Sequence, residues 1–505
     1  IKMKLFIKQF IFSFFLLVGL RSCSKENSEP NKIIDTVIKI TLETSTNNIE
    51  FEKEKSSYDV TITTNVDNYS ISSSSTSWIE LSKTSGIKGS TVFKITALEN
   101  TSEERTSTIT ISATNVPAVK INVTQKSGKV AFEGLYPSYN TNPIPANAAG
   151  MNSSATELAS KISLGWNIGN SLEATGSETA WGNPKITKEL IDLVKQNGFN
   201  AIRIPCSWNQ YLSNSSTAEI KTEWLDRIKE VIQYCVDNEM YVLVNIHWDG
   251  GWLENNVTEA KQEENNFKQK AFWEQIATRF RDFDEHLLFA GTNEPNVDDS
   301  TQMDVLTSYH QTFIDAVRST GGKNAYRTLV VQGPSTDIEK TNNLMTTLPI
   351  DTVSDRMMVE VHYYTPWQFC GLEEDASWGK MVYYWGADYH STTDIERNAT
   401  WGEESELNAF FKLMKNQFVD NNIPVILGEF DATRRTTLTG DDLTLHLASR
   451  AYFLKYVVKQ AKANGMLPFY WDNGGIGNLS SGIFNRNDNT VFDTQALEAL
   501  LEGLN

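Results

Sequence analysis

The runs Leu287-Leu288-Phe289-Ala290-Gly291-Thr292-Asn293-Glu294-Pro295 and Pro424-Val425-Ile426-Leu427-Gly428-Glu429-Phe430 each carry an apolar, strand-like stretch onto a glutamate and then into loop residues. A carboxylate where a buried strand meets a loop sits half-desolvated at the mouth of a core. Two such groups face to face are the equipment for breaking a glycosidic bond, one as acid and one as nucleophile. Either glutamate alone is equally well a plain strand end. Their recurrence within a larger repeat favours the catalytic reading.

That repeat begins at Ser163. Strand-like runs occupy Leu164–Leu172, Ala201–Trp208, Tyr241–Trp248, Leu287–Pro295, Thr328–Pro334, Met357–Pro366, Pro424–Ala432 and Leu467–Gly474. Amphipathic helical patterns alternate with them, at Ile186–Asn197, Trp224–Asn238, Phe272–Phe283, Val305–Thr320, Leu407–Asn421 and Leu443–Asn464, with a weaker stretch after Pro334. Eight βα units in about 340 residues predict an α/β fold, a (β/α)8 barrel. A doubly wound sheet is the alternative, but no Gly-rich dinucleotide loop follows the first strand, whose Gly165–Asn170 run is no phosphate cradle.

Barrel enzymes keep their active sites at the C-terminal strand ends. Those ends read Asn170, Arg203, His247, Asn293 with Glu294, His362 with Tyr364, Glu429 and Trp471. Singly, a histidine there is commonly structural and an arginine merely half of an ion pair. Collected at one rim they predict a site that hydrogen-bonds, transfers protons and offers an aromatic face. The histidines fall on separate strands with no metal-ligand spacing, so neither metal nor cofactor is expected.

The 505 residues suffice for two or more cores, and 21% charged with 40% hydrophobic residues is an ordinary globular mix. A net charge of −18 argues against nucleic acid, since no basic patch would displace counterions from phosphates. It does not hinder a neutral sugar polymer, which thirteen Trp, seventeen Tyr and twenty-four Phe are available to grip.

Residues 1–22 read as a targeting signal, with Lys2, Lys4 and Lys8 ahead of the apolar run Phe10 to Leu20. The ending Leu20-Arg21-Ser22-Cys23, followed by polar residues, resembles a bacterial lipobox. That resemblance implies lipidation of Cys23 and anchoring to the outer membrane at the cell surface, the anchor being the only membrane contact. The alternative is an ordinary secretory peptide with an incidental cysteine. The remaining Cys206, Cys235 and Cys370 are odd in number and widely spaced, and should behave as small hydrophobes.

Residues 37–126 alternate with period two (Val60/Ile62, Ile109/Ile111, Val119/Ile121/Val123), which predicts a small immunoglobulin-like β-sandwich. Its Ser77-Trp78-Ile79 start and Ile121-Asn122-Val123-Thr124-Gln125 end resemble a BACON module. Its few candidate exposed aromatics (Tyr58, Tyr69, Trp78) leave spacer and glycan binder both open. Residues 127–155, with Pro137, Pro143 and Pro145, read as a proline-stiffened linker, and 156–505 as the barrel.

The barrel portion resembles glycoside hydrolase family 5, the cellulase type, through Asn293-Glu294-Pro295, His362-Tyr363-Tyr364, Gly428-Glu429-Phe430 and Tyr470-Trp471-Asp472. Gly165–Asn170, Trp181-Gly182-Asn183 and His247-Trp248-Asp249-Gly250-Gly251-Trp252 resemble its subfamily 4, which acts on β-1,4-glucans, mixed-linkage glucans and xyloglucan. The resemblance implies a retaining mechanism with Glu429 as nucleophile and Glu294 as general acid, then base. It further implies that Arg203 and Tyr364 keep Glu429 ionised, and that burial and the negative Glu429 leave Glu294 protonated. Asn293 would bond the sugar 2-hydroxyl, Asn170, His247 and His362 would hold hydroxyls or neighbours, and Trp471 would floor the cleavage subsite. Among the tryptophans, Trp224, Trp273 and Trp401 fall in helical patterns and read as packing. Trp181, Trp252, Trp367, Trp378 and Trp385 fall in rim loops, two or three of them expected to stack on glycan; Trp252 is taken as one. The insertion Thr365–Trp401 is expected to form one wall of the cleft.

The favoured function is thus a monomeric endo-β-1,4-glucanase whose partner is plant cell-wall β-glucan, xyloglucan first. A mixed-linkage glucanase, cellulase, mannanase or exo-glucosidase on the same scaffold is the enzymatic alternative. A non-catalytic surface glycan-binding protein is the alternative of another class, disfavoured by retention of both glutamates with Arg203 and Tyr364.

Overall fold

The computed structural model describes residues 40–100, 104–127 and 134–505. The targeting segment and Cys23 lie outside the described residues. Two compact units meet in sequence at residues 131/132.

The first unit is built from β1 (Leu42–Thr44), β2 (Asn48–Phe51), β3 (Ser56–Ser73), β4 (Ile79–Leu81), β5 (Ser85–Ala97), β6 (Arg105–Ala113) and β7 (Val116–Gln125). The strands run in the order β2-β7-β6-β3-β5-β4, with β1 on β3. The long β3 pairs with β5 from Ser56 to Ser70, its register slipping between Thr64 and Asn68, and with β6 from Ser70 to Ser73. Alternate residues Val60, Ile62, Ile71, Phe93, Ile95, Ile109, Ile111, Ile121 and Val123 fill one core. Tyr69 and Trp78, counted above as exposed aromatics, are buried, and Arg105 lies 4.5 Å over the Trp78 ring. Tyr58 alone of the three is exposed.

In the second unit the predicted linker is not free from residue 134 on. Glu274, buried, accepts from Ser138 Oγ at 3.0 Å and from the Tyr139 backbone N–H at 2.6 Å. The short β8 (Ile144–Ala146) pairs with β15 (Gly321–Gly322), and Glu285 takes the Ser153 backbone and hydroxyl at 2.9 and 2.7 Å. Composition marked this segment as irregular, which it is. Its attachment rests on carboxylates more than a hundred residues away. Helix α1 (Ala155–Lys161) follows and turns Ala155 and Leu158 into the bottom of the barrel.

Eight parallel strands close the barrel: β9 (Gly165–Ile168), β10 (Ala201–Ile204), β13 (Tyr241–Asn245), β14 (Leu287–Ala290), β16 (Leu329–Gln332), β17 (Met357–Tyr363), β18 (Val425–Phe430) and β19 (Met466–Asp472). Small hairpins, β11 (Leu212–Asn214) with β12 (Glu219–Ile220) and β20 (Phe484–Asn485) with β21 (Thr490–Val491), decorate the loops. Around it stand α2 (Lys188–Gln196), α3 (Thr222–Val236), α4 (Glu259–Phe280), α5 (Ser300–Ser319), α6 (Ile338–Leu344), α8 (Glu404–Gln417), α9 (Gly440–Ala463) and α10 (Thr494–Glu502), with the single turn α7 (Trp367–Cys370) on the rim. Helix α4 begins at Glu259, well before the expected Phe272, and its first turns are polar with no apolar period to announce them. Strand parity divides the side chains: Ile202, Val242, Phe289 and Val359 pack outward on the helices, whereas Ala201, Leu243, Leu288, Met358 and Ile426 fill the interior with α1. Cys206, Cys235 and Cys370 are buried free thiols.

Candidate active site

Parity also decides what stands at the top of the barrel. Ala201 points inward, so Arg203 does too; Met358 points inward, so Glu360 and His362 do as well. Arg203 is fully buried and gathers the site. Its guanidinium donates to Glu429 at 2.7 Å, to the Asn293 side-chain oxygen at 2.7 Å and to Asn167 at 3.0 Å, and its Nε lies 2.8 Å from Glu360. Glu360 accepts a further bond from Gln332 at 2.6 Å. Gly428 explains the next step. A Cβ there would come 2.0 Å from Glu360 Oε1, and the β17–β18 register slips at this point, so that His362 pairs with Glu429. The slip lets Ile426 and Glu429 both face inward, which strict alternation would forbid. Tyr364 completes the hold on Glu429, its hydroxyl donating at 2.9 Å.

Glu294 lies beyond the end of β14, its side chain open to the cleft. His362 Nδ1 is 2.7 Å from its carboxylate and 3.6 Å from that of Glu429, while His362 Nε2 is 3.3 Å from Glu360. Oxygens of Glu294 and Glu429 and the His362 nitrogen lie within 4.8 Å of one another. That proximity matches the short carboxyl separation of retaining glycosidases, about 5 Å, and leaves no room for the intervening water of an inverting site.

The charges differ from the expected pattern. Burial works against a proton on His362, but Glu429, Glu294 and Glu360 outweigh it and push the imidazole up to about 10. Burial raises Glu294 as well, yet the His362 hydrogen bond and the charges of His362 and Arg203 pull it below the usual carboxylate range. Glu429 is pushed up, by burial first and by the negative Glu294, against the pull of His362 and Arg203. The sequence reading put the raised value on Glu294 because it could not see a cation landing there. The site's mobile proton therefore rests on His362, one 2.7 Å hydrogen bond from Glu294. For Glu294 to serve as the acid, that proton must come back to it along this bond as the leaving oxygen takes it up.

Among the other expected residues, Trp471 lies against Gly169, where a Cβ would meet its ring at 2.8 Å, and stacks at 5.8 Å with His247. Burial and the nearby Arg203 and His362 keep His247 neutral, well below its ordinary range. Asn170 is held at the mouth by its backbone: its N–H meets Glu173 and its carbonyl accepts from Asn183 at 2.9 Å. Trp252 is half-buried. Its Nε1 donates to Asp249 at 2.9 Å, its ring abuts Phe272 at 5.4 Å, and the Lys268 ammonium sits 4.5 Å over its face. With one face covered and its Nε1 bonded, the ring braces the loop. Trp385 is also a brace, fully buried against Phe453, whereas Trp401 precedes α8 and is exposed. Trp181, Trp248, Trp367 and Trp378 are exposed with it.

Sequence reasoning missed Glu360, Asn167 and Glu254. Glu360 had a signal: an acid inside the apolar Met357–Tyr363 run, two residues from His362 and so on the same face. Glu254 had none. It lies buried in a loop and accepts the Glu294 backbone N–H at 2.7 Å; burial first, then the negative Glu294, push it up to about 7. By distance Glu294, His362 and Glu429 also resemble a cation site. With a proton on each nitrogen, however, His362 has no lone pair to offer one.

The profile of cellulases of glycosyl hydrolase family 5 matches residues 167–477, and that of the BACON domain, described as a putative N-terminal binding domain, matches residues 68–126. The xyloglucan-specific endo-β-1,4-glucanase of Bacteroides ovatus is 36% identical over 450 residues, 86% of each chain. The solved structure of a Bacteroides ovatus family 5 xyloglucanase with a XXXG heptasaccharide superposes with a TM-score of 0.67 at 34% identity, covering 92% of this chain and 99% of that one. A xyloglucan-specific β-1,4-glucanase from a ruminal metagenomic library, solved with XXLG, reaches 40% identity and a TM-score of 0.65 over 70% of this chain and 96% of its own.

Proposed function

Because this chain belongs to glycosyl hydrolase family 5, the cellulase family, we propose that it is a retaining endo-β-1,4-glucanase that cuts xyloglucan. The observation that carries the reaction is the pair of carboxylates within 4.8 Å, one gripped by Arg203 and Tyr364 and the other by His362. Glu429 attacks the anomeric carbon while Glu294 protonates the departing oxygen. The glycosyl–Glu429 ester forms as the glycosidic bond breaks. Glu294, now a carboxylate, takes a proton from water, which attacks the same carbon and restores the β configuration. Asn293, aligned by Arg203, is in place to bond the 2-hydroxyl as charge develops on the ring.

Xyloglucan is favoured because the similarity to the Bacteroides ovatus enzyme runs through both units of the chain. On a panel of xyloglucan, barley β-glucan, crystalline cellulose and mannan, viscosity should fall fastest with xyloglucan, more slowly with β-glucan and little with the others. Rapid cleavage of linear glucan with xyloglucan left intact would overturn the substrate and leave the chemistry standing.

The Leu20–Cys23 ending supports anchoring of the protein, as a monomer, to the outer membrane through Cys23. Wild type should then fractionate with membranes and Cys23→Ala with the soluble fraction; soluble wild type would remove the anchor. The front unit, whose Tyr69 and Trp78 are buried, serves in this reading as a spacer that holds the barrel away from the membrane.

A further inference from the structure

Glu360 stands below the reacting carboxylates with donors on every side. Its Oε1 meets Arg203 Nε at 2.8 Å and His362 Nε2 at 3.3 Å, and its Oε2 accepts from the Gln332 side-chain N–H at 2.6 Å. The Gln332 amide cannot be turned round, because its own oxygen accepts from the Thr292 backbone N–H at 2.9 Å and from the Thr292 hydroxyl at 3.1 Å. Glu360 is fully buried, in space that Gly428 leaves open on the next strand. A carboxyl proton there would find no acceptor, so the group is a carboxylate.

A carboxylate only accepts, and that decides the imidazole facing it. His362 keeps a proton on Nε2, and only Nδ1, 2.7 Å from Glu294, is left to exchange one. Nothing else nearby supplies this. Glu429 lies 3.6 Å from Nδ1, on the same side as Glu294. Tyr364 and Arg203 are committed to Glu429, and Glu254 acts on the Glu294 backbone. Burial keeps His247 neutral and pushes His310, whose Nε2 is 2.9 Å from the Gln332 carbonyl, down to about 4.

We propose that Glu360, held by Gln332, is a positioning residue of the reaction: it keeps His362 Nε2 protonated, dedicates Nδ1 to Glu294, and sets the alkaline limit of activity. A fixed negative charge beside the imidazole opposes loss of the one proton that His362 and Glu294 share, and without that proton there is no acid. This role rests on the retaining β-glucanase reading above.

The test follows kcat/KM against pH on aryl β-gluco-oligosaccharides with a poor and with a good leaving group. In Glu360→Gln the alkaline limb on the poor leaving group should move down by about one pH unit or more, because removing a neighbouring negative charge eases proton loss. On the good leaving group, which needs no proton, the limbs of wild type and variant should coincide. The double variant Glu360→Gln/Gln332→Glu passes the carboxylate across the 2.6 Å bond with its donors still matched, and should restore most of the shift. An unmoved limb, an equal shift on both leaving groups, or a full shift that persists in the double variant overturns the role. Nitrogen-15 NMR of the wild type, with six histidines in the chain, needs no stable variant: Nε2 of His362 should stay protonated across the pH range of activity, and a bare Nε2 overturns the proposal. A wild type that degrades no β-glucan overturns the functional reading and leaves the NMR result standing.

Discussion

Glu429→Ala is expected to lower turnover at least about a thousandfold with the fold intact, because it removes the group placed to form the covalent intermediate. The cavity left beside Arg203 and Tyr364 suits a small anion. Azide should therefore restore part of the rate on an aryl glycoside with a good leaving group, and the product should be the α-glycosyl azide, the inverted configuration. Glu294→Ala should spare the first step on the same activated substrate, since that leaving group needs no proton, but stall the second. Azide should then accelerate turnover to a β-glycosyl azide. Proton NMR of the products reads both outcomes. Inverted products from the wild type would remove the retaining mechanism altogether.

Arg203→Met should lose both activity and stability. Three of the site's polar groups lose their donor at once, and turnover should fall about a hundredfold or more. Glu360, fully buried, loses the cation 2.8 Å away, and breaking such a pair costs roughly 3–5 kcal/mol. The loss should depend on pH in a definite sense. Burial alone would raise the Glu360 carboxyl, but Arg203 and His362 hold it below the ordinary range. A carboxyl lowered in this way contributes stability that is full above its unfolded value and disappears as pH falls through the lowered one. Without Arg203, burial prevails and Glu360 takes a proton. The gap in melting temperature between wild type and variant should therefore be widest near neutrality and narrow below about pH 4, the ordinary carboxylate range. A gap independent of pH would show that the Arg203–Glu360 pair is not its source.

The barrel and its chemistry were readable because both follow from period. Eight apolar runs separated by helical patterns leave few topologies, and polar residues at the ends of inward-facing rows must meet. Arg203, His362 and Tyr364 could be placed at the rim in this way, and the structure joins all three to the carboxylates. What period does not carry is three-dimensional neighbourhood. The role of Gly428 depends on Glu360, which approaches from an adjacent strand. Glu254 reaches Glu294 from an irregular loop. The exposure of Trp252 and Trp401 was hidden for the same reason: loop position says that an indole is near the surface, but neighbours such as Lys268 and Phe272 decide how much of it is free. The protonation order went the same way, because a formal charge on His362 exists only once three carboxylates surround it.

The strap of residues 134–153 has a bearing on how such chains are assembled from parts. Composition would put the seam between modules as late as residue 155, yet Glu274 and Glu285 on the barrel are satisfied by Ser138, Tyr139 and Ser153, and β8 fills the edge offered by Gly321–Gly322. A recombination joint at 155 would carry those hydrogen-bond donors away with the front module and leave Glu274 with Lys270, and Glu285 with Lys161, as their remaining partners. The seam across which front modules can be traded therefore lies upstream of residue 134, and the proline-rich stretch travels with the barrel as its inherited collar.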